Sequence, residues 1–299
     1  MRARPSSGFL GKWLERAGRW WVGAGAALLV NLALSVGCAA AAGGDRLVDI
    51  GGFRLHIHCT GSGGPTVILD AGAGDDWTTW SRVQPALSHM SRVCSYDRAG
   101  EGRSQPGPLP RTSSRMVDEL RRLLQRAGIN GPYVLVGHSL GATNMELYAL
   151  THPHEVAGLV LLDPATSVPP PPSGNTVIVG ASGAGLSPAG VDEGASVATD
   201  LAQLRAARRS LGSLPLIVVT RAGGPASVAG KSSAGAADTR QQAAITRLST
   251  NSEQVLAQHS GHVIQHDQPA VVIASVRQVL TAARHHGLLA DRGKVVHAG

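Results

Sequence analysis

Apolar residues fall into two rhythms along the chain. Short runs rich in β-branched residues, TVILD (66–70), SRVCSYD (91–97), YVLV (133–136), GLVLLDP (158–164), LPLIVVT (214–220) and EQVLAQ (253–258), have the length of buried strands. Between them apolar positions recur at helical spacing. RTSSRMVDELRRLLQRAG (111–128) places Met116, Leu120, Leu123 and Leu124 on one face. Residues 81–90 read as a helix, as does the segment from Leu140 carrying Met145, Tyr148 and Ala149. PAVVIASVRQVLTAARHHG (269–287) is a final helix opening on Pro269, a favoured first-turn residue. RLVDIGGFRLHIHC (46–59) reads as a hairpin turning at Gly51-Gly52. Continuous apolar strands alternating with helices predict an α/β fold whose mostly parallel sheet is covered on both faces.

Two regions break the rhythm. Residues 164–213 carry VPPPPSG and GASGAGLSPAG and little pattern before a helix near 197–211. Residues 221–238 are rich in Gly, Ala and Ser. The first lies directly after a strand, where a lid-like insert would sit. The expected organisation is a basic N-terminal segment over 1–44, one domain over 45–287 and a polar C-terminal tail over 288–299.

Composition narrows the partners. The chain has 299 residues, 43% hydrophobic and 16% charged, which excludes a disordered chain. Net charge is +7, yet aromatics are only 3% and no compact Lys/Arg run occurs, so nucleic acid is not an expected partner. Part of the positive charge is local: Arg2, Arg4, Lys12, Arg16 and Arg19 precede an uncharged stretch from Trp20 to Gly44. Cations before such a stretch predict a cytoplasmic N-terminus and an exported remainder. A membrane anchor and a signal peptide cleaved near Ala40 and Ala42 both fit, and a lipid attachment at Cys38 is a third use. Cys59 and Cys94 then form an even pair in the exported domain, either bridged or two buried thiols.

Gly137-His138-Ser139-Leu140-Gly141 matches G-x-S-x-G. In a Gly-rich chain this pattern also arises by chance; the strand before it and the helix after it are what point to a nucleophile elbow. There a strained turn lifts the hydroxyl above the sheet at a helix N-terminus, which favours developing negative charge. A serine needs a base to take its proton. Of twelve histidines, only His262 follows a strand and a glycine (Gly261) and precedes a helix; His259 is its rival. No metal cluster, phosphate loop or dinucleotide fingerprint occurs, and no cofactor is implied.

VILDAGAGDDWTTW, VCSYDRAGEGRS, YVLVGHSLGA, GLVLLDPA and SGHVIQHDQP, in this order, resemble the α/β-hydrolase superfamily, specifically its single-domain bacterial serine hydrolases, over about residues 46–286. The resemblance implies Ser139 as nucleophile, His262 as base, and backbone N–H groups of Leu140 and Ala73 as the oxyanion hole. The family's His-Gly before the second donor is here Ala71-Gly72, a departure that leaves a backbone donor in place. Serine at 139 argues against relatives with an aspartate nucleophile. The family usually takes its acid after the strand corresponding to LPLIVVT, but that loop holds no carboxylate before Asp238. Asp163, ending GLVLLD, is the preferred third member because a strand end holds it rigidly, and Asp238 is the alternative. Asp97 and Arg98 are read as stabilising their turn, and Trp77 and Trp80 as pocket wall or core. The implied function is hydrolysis of a small-molecule carboxylic ester through an acyl-enzyme, by an exported or membrane-tethered protein. Amides, lactones, thioesters and perhydrolysis would use the same parts. A non-catalytic protein that keeps the pocket to bind a ligand or partner is the alternative.

Overall fold

The computed structural model describes residues 44–165, 187–222 and 239–298. Residues 1–43 of the expected export segment, Asp238, and residues 166–186 of the lid-like insert therefore lie outside the described residues. Among those described, no helix is long and apolar enough to cross a membrane.

Nine strands form one sheet: β1 (Gly44–Asp49), β2 (Arg54–Thr60), β3 (Thr66–Asp70), β4 (Val93–Tyr96), β5 (Tyr133–His138), β6 (Val156–Leu162), β7 (Leu216–Arg221), β8 (Ser252–Ala257) and β9 (Val295–Ala298). Their order is β1-β2-β4-β3-β5-β6-β7-β8-β9. β2 pairs antiparallel with β1 and with β4, and every other pairing is parallel. The β1–β2 hairpin turns at Gly51 and Gly52, whose φ of +100° and +108° side chains rarely adopt.

The pleat divides the apolar strands between two cores. Ile68, Leu135, Leu159, Leu161 and Val218 face α2 (Ser113–Arg126), α3 (Leu140–Thr151) and α5 (Val197–Ala207). Their neighbours Val67, Leu69, Val134, Val136, Val160, Leu162 and Val219 face Trp80, α1 (Gln84–Ser88) and α6 (Pro269–His285). Each such aliphatic side chain contributes about 1.5–3 kcal/mol by leaving water, which explains why these strands are apolar on both faces.

The structure differs from the pattern in three places. Only Gln84–Ser88 of residues 81–90 are α-helical, after a 3₁₀ turn at Trp77–Trp80 that the Asp76 side chain caps through Thr78 N–H. The insert holds an unforeseen helix, α4 (Pro188–Ala195), with Pro188 in its first turn and the Ser187 side chain accepting from Gly190 N–H. Residues expected as a tail carry β9, the last strand of the sheet.

Candidate active site

From β3 the chain steps to β4 on one side, then crosses to β5 on the other. Such a reversal opens a crevice at the carboxyl ends of the strands. Asp70 ends β3, Ser139 follows β5, Asp163 follows β6, Arg221 ends β7, and the loop to His262 leaves β8. Five adjacent parallel strands thus deliver one group or loop each to one edge of the sheet.

Ser139 has φ 53° and ψ −115°. A serine held there costs on the order of 1–3 kcal/mol, which the surroundings must offset. Its N–H donates to Leu162 O at 2.9 Å, and its carbonyl receives Thr143 N–H at 3.2 Å. The flanking glycines are steric requirements. A Cβ on Gly137 would collide with Gly141 backbone, and one on Gly141 with the carbonyls of Asp70 and Ala71. The close approach brings the first turn of α3, with Leu140, against the loop after β3.

His262 Nδ1 lies 2.5 Å from Asp163 Oδ2. A carboxylate only accepts, so Nδ1 carries the proton, and it is Nε2 that holds the lone pair in the neutral ring. Asp163 is 2% exposed, has φ +43°, and its N–H donates to Val219 O at 2.8 Å. Its Oδ1 accepts from Gln242 Nε2 at 2.8 Å, and Oδ2 also accepts from an Arg221 guanidinium nitrogen at 2.6 Å. Burial pushes the Asp163 carboxyl up, but the His262 hydrogen bond, the Arg221 charge and Gln242 together hold it below the ordinary value. The carboxylate is charged at neutral pH. The Arg221 nitrogen also lies 3.0 Å from His262 Nδ1, so both cations or donors converge on one oxygen.

Other histidines have different tasks. His259 is exposed, and its N–H donates to Gln268. His266 sits against Thr79. His138 is buried, and burial, with help from nearby His262, lowers its pKa to about 3. The neutral ring donates from Nε2 to His262 O at 2.9 Å and so braces the backbone beneath the imidazole.

The loop after β3, Ala71 to Gly74, is held by Arg98. Its guanidinium donates to Ala71 O at 2.8 Å and Gly72 O at 2.6 Å, and pairs with Asp70 at 2.8 Å and Glu193 at 2.7 Å. Asp97, by contrast, accepts from Trp77 N–H, Arg103 N–H and His56, which braces its turn. Trp80 is fully buried core, and Trp77 packs on His58 at 4.5 Å with Arg103 over its ring. Gln242, Arg221 and Glu193 carried no signal in the sequence. Each reaches the site through the fold, and none sits in a motif.

Cys59 and Cys94 face one another in the β2–β4 register and are bridged, with S–S 2.13 Å and Cα–Cα 4.1 Å. Both are buried between the flanking core residues.

The family model for the alpha/beta hydrolase fold matches residues 65–183. The chain is 31% identical over 245 residues to "Uncharacterized protein YqjL" of Bacillus subtilis, covering 80% of this chain and 93% of that protein. It is 36% identical over 115 residues to lipase LipV of Mycobacterium tuberculosis, 38% of this chain and 43% of that one. Among solved structures, a thermophilic esterase from Thermogutta terrifontis aligns with a TM-score of 0.59 at 22% identity, over 77% of this chain and 94% of the esterase, a likeness of fold. With its mostly parallel sheet, its Gly-x-Ser-x-Gly turn and these matches, the chain belongs to the α/β-hydrolase superfamily.

Proposed function

We propose that the protein is a serine hydrolase that cleaves carboxylic esters or related acyl bonds, with Ser139, His262 and Asp163 as its triad. The observation that carries the reading is the 2.5 Å contact between His262 Nδ1 and Asp163 Oδ2, at the sheet edge where Ser139 stands in a strained turn. Similarity to a protein named a lipase supports it. Ser139 Oγ attacks the acyl carbon while His262 Nε2 takes its proton. The carbonyl oxygen becomes an oxyanion, received by the N–H groups of Ala73 and Leu140, a stabilisation of about 3 kcal/mol per donor. Asp163 holds the imidazole tautomer and stabilises the imidazolium. The tetrahedral adduct collapses, the C–O bond to the alcohol breaks, and His262 returns the proton to the leaving oxygen. Water, deprotonated by His262, then attacks the acyl-enzyme and releases the acid and Ser139. A fluorophosphonate probe tests this: it should label Ser139 in the parent and not in Ser139→Ala, and the parent should hydrolyse p-nitrophenyl esters. A folded parent that neither labels nor turns over is a binding protein, and the reading fails.

We also propose that the enzyme works outside the cytoplasm, tethered or released by its N-terminal segment. The buried Cys59–Cys94 bridge supports an oxidising compartment, as do the cations ahead of the uncharged 20–44 stretch. A reporter active only after export, fused behind Asp45, should be active; activity of a cytoplasm-only reporter overturns this.

A further inference from the structure

An oxyanion hole works only if its N–H groups point at the reacting oxygen before the reaction begins. The loop after β3 is closed by one turn bond, Asp75 N–H donating to Gly72 O at 3.1 Å, and has no strand or helix over residues 71–72 to fix its peptide planes further. A trans peptide does impose one relation: its C=O and N–H point opposite ways. The peptide joining Gly72 to Ala73 carries Gly72 O, which Arg98 binds at 2.6 Å. Ala73 N–H must therefore point away from Arg98. The next peptide is fixed likewise, because Gly74 N–H donates to Glu193 Oε2 at 3.1 Å. Among the described residues Ala73 N–H has no hydrogen-bond partner.

What aims Arg98 is Glu193. The two form a fork of two bonds, from Nε at 2.7 Å and from the second terminal nitrogen at 2.9 Å, with Glu193 0% and Arg98 2% exposed. Glu193 lies on α4, which seats itself against the same loop: a Cβ on Gly190 would come within 2.8 Å of Gly74 Cα. A buried ion pair is seldom needed for stability alone, since apolar residues of similar volume do as well. Apolar residues cannot donate to two loop carbonyls and accept from a third peptide.

We propose that Arg98 and Glu193 are positioning residues for the oxyanion hole, which turn the peptide planes of residues 72–74 so that Ala73 N–H faces the substrate. This rests on the serine-hydrolase reading, with Ala73 as donor. In Glu193→Gln the amide nitrogen would oppose Gly74 N–H or Arg98, so one bond of the cradle is lost. Turnover of p-nitrophenyl acetate should fall about 10- to 100-fold, less than the loss of a whole donor, with KM changed less than about twofold. Binding of a trifluoromethyl ketone, whose adduct places an oxyanion in the hole, should weaken by the same factor as kcat/KM. The pH midpoint of kcat/KM should stay where it is in the parent, because His262 and Asp163 are untouched. If the single variant does not fold, Arg98→Met with Glu193→Leu and Asp70→Asn removes the three buried charges together and should fold with the same kinetic loss. Parent-like turnover in either folded variant overturns the inference, as does a loss accompanied by a shifted pH midpoint. A parent that fails to label and to hydrolyse overturns the hydrolase reading and this inference with it; an active parent with unaffected variants overturns this inference alone.

Discussion

Replacing Asp163 by Asn exchanges the carboxylate beside His262 for an amide of the same shape. The structure sets the scale of the loss. With the imidazolium and carboxylate charge centres about 4 Å apart at an effective dielectric of 20, the attraction is about 4 kcal/mol, or three factors of ten. That dielectric suits a pair in which Asp163 is nearly buried but the His262 side chain is 26% exposed. The expected fall in kcat is therefore about 10³. The fold has a way to absorb the amide. Gln242 now donates to Asp163 Oδ1 and has an unpartnered buried Oε1, so a flip of its amide would accept the new NH₂. The price is its bond to Pro164 O. Melting temperature should therefore fall only a few degrees while turnover collapses. The assay is kcat on p-nitrophenyl acetate, with thermal melting as the control and Asp238→Asn alongside. Turnover of Asp163→Asn within tenfold of the parent, or a comparable collapse in Asp238→Asn, refutes Asp163 as the acid.

Ser139→Gly should abolish turnover and yet raise stability by about 1 kcal/mol in urea unfolding, because glycine tolerates the φ of 53° that strains serine; an unchanged or lowered midpoint counts against strain at the elbow. Burial raises the Glu146 carboxyl to about 7. The native state then keeps a proton that the unfolded chain has lost above its ordinary value of 4.5, so stability should fall by ~3 kcal/mol as pH rises from about 4.5 through 7. Glu146→Gln should flatten that part of the profile, and identical pH slopes in parent and variant would contradict the burial argument. The Cys59–Cys94 bridge closes a loop with a sequence separation of 35, so Cys59→Ala with Cys94→Ala should cost about 4 kcal/mol on the chain-entropy account; a loss below about 1 kcal/mol would show that the bridge adds little to the strand pairing.

Much of this protein is local, and the local part was readable. A run such as TVILD or GLVLLD reads as a strand buried on both faces from its length and β-branched content, and in the structure each residue's neighbour faces the opposite core. Gly51-Gly52 and the glycines around Ser139 mark turns because the backbone there excludes a Cβ, through φ in one case and contact in the other. These features depend on residues a few positions apart, so the sequence by itself determined most of the strands, the longer helices and the Gly-x-Ser-x-Gly turn, and it singled out His262, which the structure places on Asp163. It could not choose an acid on chain position, and it read residues 288–299 as a tail. β9 forms only because β8 offers it an unpaired edge. The tertiary structure alone decided which groups meet across long stretches of chain: Asp163 with His262, Gln242 and Arg221, and Glu193 with Arg98. A glutamate on one irregular insert and an arginine in one tight turn carry no pattern of their own. Their pairing exists because the fold returns α4 to the loop after β3, where the buried Arg98 is satisfied by Glu193, by Asp70 and by the loop carbonyls together.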